Sequence, residues 1–253
     1  MMKTLLTELS KSKRTSIWIV TLITPSAVII FSLVNLLLRK DYHVRKIAET
    51  GIDWWTYLFN SSSGLLILAL PLGITMICSV ITSMEHRAKA WKQLFALPIS
   101  REKLFISKFL LATGFTLFSI FLVGIGYLLL GFGLGFVEPL PKWLLIKQCF
   151  YPFLASFPII VVQLWLSTAI PNQAFAIIVG TVTSIGAIFL LVTDLPLLTW
   201  LPWTYPIRAL PLRATENGLE TNPEVSLVFF LSVLMGLILL WMFIKFNAKR
   251  EIS

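Results

Sequence analysis

An all-α integral membrane protein with six transmembrane helices is predicted by three observations. Apolar runs of bilayer-spanning length recur along the chain, cations gather at the ends of those runs, and prolines and aromatic residues punctuate the segments between them. The mean hydropathy of +0.86, with 57% hydrophobic and 13% charged residues, belongs to the membrane class. A net charge of +9 does not argue for nucleic acid, because the cations flank apolar runs instead of forming one solvated patch.

Residues 1–15 place Met2, Leu5, Leu6 and Leu9 on one helical face, with Lys3, Lys11, Lys13 and Arg14 around and after them. That pattern predicts a short helix in the headgroup plane, apolar face down. The first span, about 17–38, has Trp18 as an interfacial anchor and a kink at Pro25–Ser26. It is too long for a cleavable signal and no small-residue cleavage site follows, so it stays as an anchor. The second span covers about 63–83 and contains Pro71 and Gly73. The third, about 104–134, is longer than ~20 residues, so it must tilt or project. Its glycines 124, 126, 131, 133 and 135 offer close backbone approach and read as a helix-contact surface. Spans four, five and six cover about 150–170, 174–193 and 225–246, with Pro152 and Pro158 in the first half of span four. All 253 residues form one transmembrane domain.

Six spans with both ends on one side put 13 of the 21 lysines and arginines on that side, and the positive-inside rule makes it the cytoplasm. Arg39, Lys40, Arg45 and Lys46 in the first outer segment weaken the bias. Outer residues 39–62 carry Trp54, Trp55 and Tyr57, which read as interfacial. Outer residues 194–224 hold Trp200, Trp203 and Tyr205 among five prolines. The latter stretch is too broken to span; it dips into the bilayer, caps the outer mouth, or forms an aromatic belt.

Catalytic constellations are missing. There is no phosphate-binding GxxxxGK[ST] loop, no HExxH, no paired metal-ligand spacing and no nucleophile elbow. His43 and His86 fall on opposite sides of the membrane in this topology. The Glu85–His86 pair reads as a helix-terminal feature. Cys78 lies in a span and reads as a small buried apolar residue; with Cys149 it could form at most one bridge. The spans carry essentially no ionisable residue, their polar content being Asn35, Gln163 and scattered Ser and Thr. Energy for transport therefore comes from outside the chain.

The most charged segment between two apolar runs is 85–108, EHRAKAWKQLFALPISREKLFISK. Ala88, Trp91, Leu94 and Phe95 share one helical face, and Arg87, Lys89 and Lys92 fall mostly off it. Pro98 stops that helix and Ser100 can cap the next. The product is a cytoplasmic elbow: a short amphipathic helix, a proline break and a fresh span.

On these residues the chain resembles the permease subunits of ABC type-2 transporters, in particular the small permeases of bacterial lantibiotic-immunity and peptide-antibiotic resistance exporters. The resemblance spans nearly the whole chain. It is carried by the six-span layout, the interfacial N-terminal helix and the elbow, with Glu85, then Trp91-Lys92-Gln93-Leu94, then Leu97-Pro98-Ile99-Ser100-Arg101 and Lys108. The outer Leu201-Pro202-Trp203-x-Tyr205-Pro206 is similar to what small members carry before their last span. The resemblance implies a coupling helix between spans two and three, seated in a groove of a cytoplasmic ABC ATPase through Glu85, Arg87, Trp91, Lys92, Leu94 and Phe95. It further implies a second permease subunit, identical or related. ATP and Mg are then held by the ATPase, with no cofactor and no enzymatic activity in this chain. The implied cargo is a hydrophobic or amphipathic molecule, such as an antimicrobial peptide, a lantibiotic or a drug, exported across a bacterial plasma membrane with both termini cytoplasmic. A rival from another class is a non-transporting scaffold or sensor whose basic elbow recruits a soluble partner or anionic lipid.

Overall fold

The computed structural model describes residues 2–12, 15–87, 101–190, 200–215 and 218–249. Ten helices are described: α1 (Met2–Ser12), α2 (Ile17–Leu38), α3 (Lys40–Thr50), α4 (Trp54–Arg87), α5 (Arg101–Gly133), α6 (Lys142–Ala155), α7 (Phe157–Ala169), α8 (Gln173–Leu190), α9 (Tyr205–Arg208) and α10 (Val225–Lys249). A 3₁₀ turn at Pro202–Thr204 precedes α9, and a two-stranded antiparallel hairpin, β1 (Leu212–Thr215) and β2 (Gly218–Thr221), precedes α10. Helices α2, α4, α5 and α10 are long and apolar enough to cross a membrane; α6 and α7 pass that test together as a pair bent by 41°, and α8 is a shorter apolar helix.

Helix α4 is the hub. It packs against α2, α5, α7 and α8, and 56% of its apolar window is buried, against 17% for α10. Its start differs from the expected 63. Gly51 closes α3 in the left-handed conformation, and the Asp53 carboxylate accepts the Thr56 N–H at 2.9 Å, an N-cap that opens α4 nine residues earlier than expected. Trp55, Leu58, Phe59 and Ser62 then recur on one buried face. Residues 39–62 are thus two helices, and Trp55 is a core residue instead of an interfacial one.

The fourth span is two helices with a break at Ser156. Pro158 supplies no N–H and its ring crowds the carbonyl one turn back, so regular hydrogen bonding fails there. The buried Ser156 hydroxyl donates to the Phe153 carbonyl at 2.6 Å. Because α6 begins at Lys142, Gln148 lies within the bundle, donating to the Phe59 carbonyl (3.0 Å) and to the Ser63 hydroxyl (2.7 Å).

The glycine surface of α5 is partly what its sequence predicts. A side chain at Gly126 would collide with Ile29 of α2, and one at Gly131 with the Trp55 ring. Gly133 faces open space. Gly135 has φ +78° and closes α5: the Phe136 N–H reaches the Gly131 carbonyl (2.9 Å) and the Gly135 N–H that of Phe132 (3.1 Å), a Schellman motif. Trp203 and Tyr205 are buried, so of the aromatics expected in an outer belt only Trp200 is exposed.

Candidate coupling site

Two long helices, α4 and α5, run into and out of the elbow. Trp91, Lys92, Leu94 and Phe95 lie outside the described residues, and Glu85 and Arg87 fall in the last turn of α4. What the structure gives is how each side of the elbow is held.

On the α5 side the holding group is a buried ion pair. The Lys108 ammonium donates to Glu8 Oε2 of α1 at 2.9 Å and to the Ile81 carbonyl of α4 at 3.4 Å. Lys108 is 1% exposed and Glu8 5%. The other Glu8 oxygen accepts from Lys11 at 2.7 Å, one turn on. Burial pushes the Glu8 carboxyl up, but Lys108 and Lys11 together outweigh burial and hold it below its ordinary value. A carboxylate between two ammonium groups is the arrangement in which a buried charge is tolerated. One basic side chain thereby ties α1, α4 and α5 together directly beside the elbow.

This geometry places Lys108, the last cation of the 85–108 segment, buried in the first turns of α5. It also refines the reading of α1. Leu6 and Leu9 are exposed as an interfacial helix requires, while Glu8 and Ser12 turn inward onto the protein. Glu8 is the residue that sequence reasoning missed. Its signal is there: an acid on the flank of the leucine stripe of an otherwise basic helix, with a lysine embedded at the start of a later apolar run.

On the α4 side, the Gln173 carbonyl at the start of α8 accepts from Ser79 (3.0 Å) and Thr82 (3.3 Å), and its amide donates to the Ser167 carbonyl at the end of α7 (3.1 Å). Glu102 at the start of α5 lies 3.7 Å from Lys245 near the end of α10. That pair is exposed and contributes little energy, but it places the end of α10 at the elbow. The end of α4 and start of α5, together with α1, the α7–α8 turn and the end of α10, therefore meet at one end of the bundle.

A family model described as an ABC-2 family transporter protein matches residues 4–205. The chain belongs to the ABC-2 transporter family. No curated protein and no solved structure matches it. As an ABC-2 protein it is a multi-pass membrane permease, and membership implies association with an ABC ATPase subunit. The matched stretch takes in Glu8, the elbow and Lys108; the β-hairpin and α10 of this ABC-2 protein lie beyond it.

Proposed function

We propose that this ABC-2 permease is the membrane subunit of an exporter, driven by a separate ATPase that docks on the elbow. In this reading the chain crosses six times: α2, α4, α5, the bent pair α6–α7, α8 and α10. The elbow end is cytoplasmic, as are both termini, and the membrane is a bacterial plasma membrane. Glu85, Arg87, Trp91, Lys92, Leu94 and Phe95 form the docking face, Trp91 filling a pocket of the ATPase as aromatic anchors do. A second permease subunit completes the pathway. The cargo is a hydrophobic or amphipathic molecule, an antimicrobial peptide, lantibiotic or drug, and ATP and Mg stay on the partner.

The observation that carries this reading is the family match across the elbow, supported by its bracing. A push on a loop between two helices does mechanical work only if those helices are tied to the bundle. The Lys108–Glu8 pair and the Gln173 bonds tie them within three turns of the elbow.

The test is co-purification in mild detergent with a candidate ATPase, comparing wild type with Trp91→Ala/Leu94→Ala and reading ATP hydrolysis. The double variant is expected to release the ATPase while the permease stays folded. Absence of binding, or binding indifferent to the apolar face, defeats the reading and favours the scaffold, whose elbow should then bind anionic liposomes.

A further inference from the structure

At the end of the bundle away from the elbow, a cavity of about 320 Å³ opens between the α2–α3 junction, the start of α4 and the loop that follows α5. Its size is that of a small-ligand site. Lys40 lines it from α3 and Glu138 from the loop. Glu138 Oε2 is buried and has no hydrogen-bond partner among the described residues. Nor does Lys40 form an ion pair among the described residues, with Glu138 or any other group. Two opposite charges thus face one cavity without meeting, and a buried carboxylate oxygen left unpaired is costly.

The loop that presents Glu138 is built, not loose. The Schellman motif at Gly135 sets its exit from α5, and the Trp55 indole N–H donates to the Glu138 carbonyl at 3.1 Å. Trp54 and Phe136 stack beside the cavity, with ring centroids 5.4 Å apart. His43, also in the wall, is already engaged: one ring nitrogen is 2.7 Å from the Tyr57 hydroxyl and the other 3.1 Å from the Asn35 carbonyl. It shapes the cavity and leaves the charge recognition to Lys40 and Glu138. The rim is apolar and open, Leu37 being 57% and Val137 95% exposed.

We propose that this cavity binds the head group of an aminophospholipid of the ethanolamine type. The primary ammonium donates to the Glu138 carboxylate and lies against aromatic rings, which attract cations. The phosphate is held by Lys40, and the acyl chains leave past Leu37 and Val137 into the bilayer. A glycerol head group has no cation for Glu138. A choline head group has a cation with no N–H to donate. The inference borrows from the proposed orientation only the choice of leaflet, the outer one.

The test needs no ATPase, so it stands or falls apart from the docking experiment. Purified permease in detergent is offered phosphatidylethanolamine, phosphatidylglycerol or phosphatidylcholine, and retained lipid is read by native mass spectrometry alongside thermal unfolding. Wild type is expected to retain phosphatidylethanolamine about tenfold over the other two, the scale of one charge-assisted hydrogen bond. Glu138→Gln should abolish that preference, Glu138→Asp should restore part of it, and Lys40→Gln should weaken retention without changing the melting temperature of lipid-free protein. If Glu138→Gln fails to fold, the exposed Lys40→Gln variant carries the test. Equal retention of phosphatidylglycerol by wild type, a Glu138→Gln variant that keeps the preference in full, or a Lys40→Gln variant that retains lipid as well as wild type, overturns the proposal. So does stabilisation by soluble phosphoethanolamine equal to that by the lipid.

Discussion

Lys108 and Glu8 are each almost fully withdrawn from solvent, and each offsets much of the cost of the other's burial. Removing one member of such a pair strands a buried charge, at a cost of about 3–5 kcal/mol. Lys108→Met is therefore expected to destabilise the purified protein by about 3 kcal/mol, the low end because Lys11 still faces Glu8. Glu8→Gln/Lys108→Met should recover most of that loss, and a denaturation double-mutant cycle reads the coupling. An additive result would remove the pair from the account. Glu8 also sets a pH limit. Its native value lies below the ordinary 4.5, so its stabilisation is fully present above that value and drains away as pH falls through the native one. Wild type should lose its α1 contact, read by limited proteolysis, as the pH falls below the ordinary 4.5 and through the lowered native value, and Glu8→Gln should show no change across that window. At this scale the sequence was half legible. Lys108 stands out as a cation leading into an apolar run. Glu8 stands out as an acid in a basic helix, but its pairing with Lys108 does not, because a contact across 100 positions leaves no periodic trace.

Helices were legible where composition alone decides them. An apolar run such as 17–38 reads directly, because its length matches the hydrocarbon thickness. Boundaries set by side-chain chemistry were not. The Asp53 cap extends α4 through a segment whose serines, Asn60 and aromatics resemble an interface, and the Pro158 break divides what hydropathy joins. Close approach is likewise a property of pairs of helices. Gly131 and Gly133 look alike in sequence, but only Gly131 faces the Trp55 ring. Gly131→Ala should destabilise by about 1–3 kcal/mol through overpacking. Gly133→Ala should be neutral or stabilising by up to about 1 kcal/mol, since α5 gains helix propensity there. Thermal unfolding of the two variants side by side checks the difference; equal effects would mean that α4 and α5 do not meet at that point.

For the molecule as a whole, the proposed orientation makes a separate prediction. Cys78 and Cys149 are buried, so single cysteines can be introduced on top of the native pair. Ala48 in α3 and Pro171 in the α7–α8 turn are both exposed and belong to opposite ends of the bundle. In intact cells a membrane-impermeant maleimide should label Ala48→Cys and leave Pro171→Cys untouched until the cells are opened. The reverse pattern would invert the orientation. Charge counting suggested this arrangement, but Arg39, Lys40, Arg45 and Lys46 blur it. The physical reason is that α3 is an amphipathic helix whose cations serve local contacts, such as Arg39 over the Tyr42 ring and Lys46 with Glu49. The elbow is the converse case: its apolar stripe and proline break are plain in the sequence, while its bracing needed three-dimensional placement to be seen.

The Lys108–Glu8 contact also orders events in time. Glu8 is synthesised 100 positions before its partner. At about 5–20 residues per second, the ribosome leaves the carboxylate waiting roughly 5–20 seconds. During that interval α1 has only the bilayer surface to rest on, through its leucine face. Docking of Glu8 thus follows the arrival of the third long helix, α5.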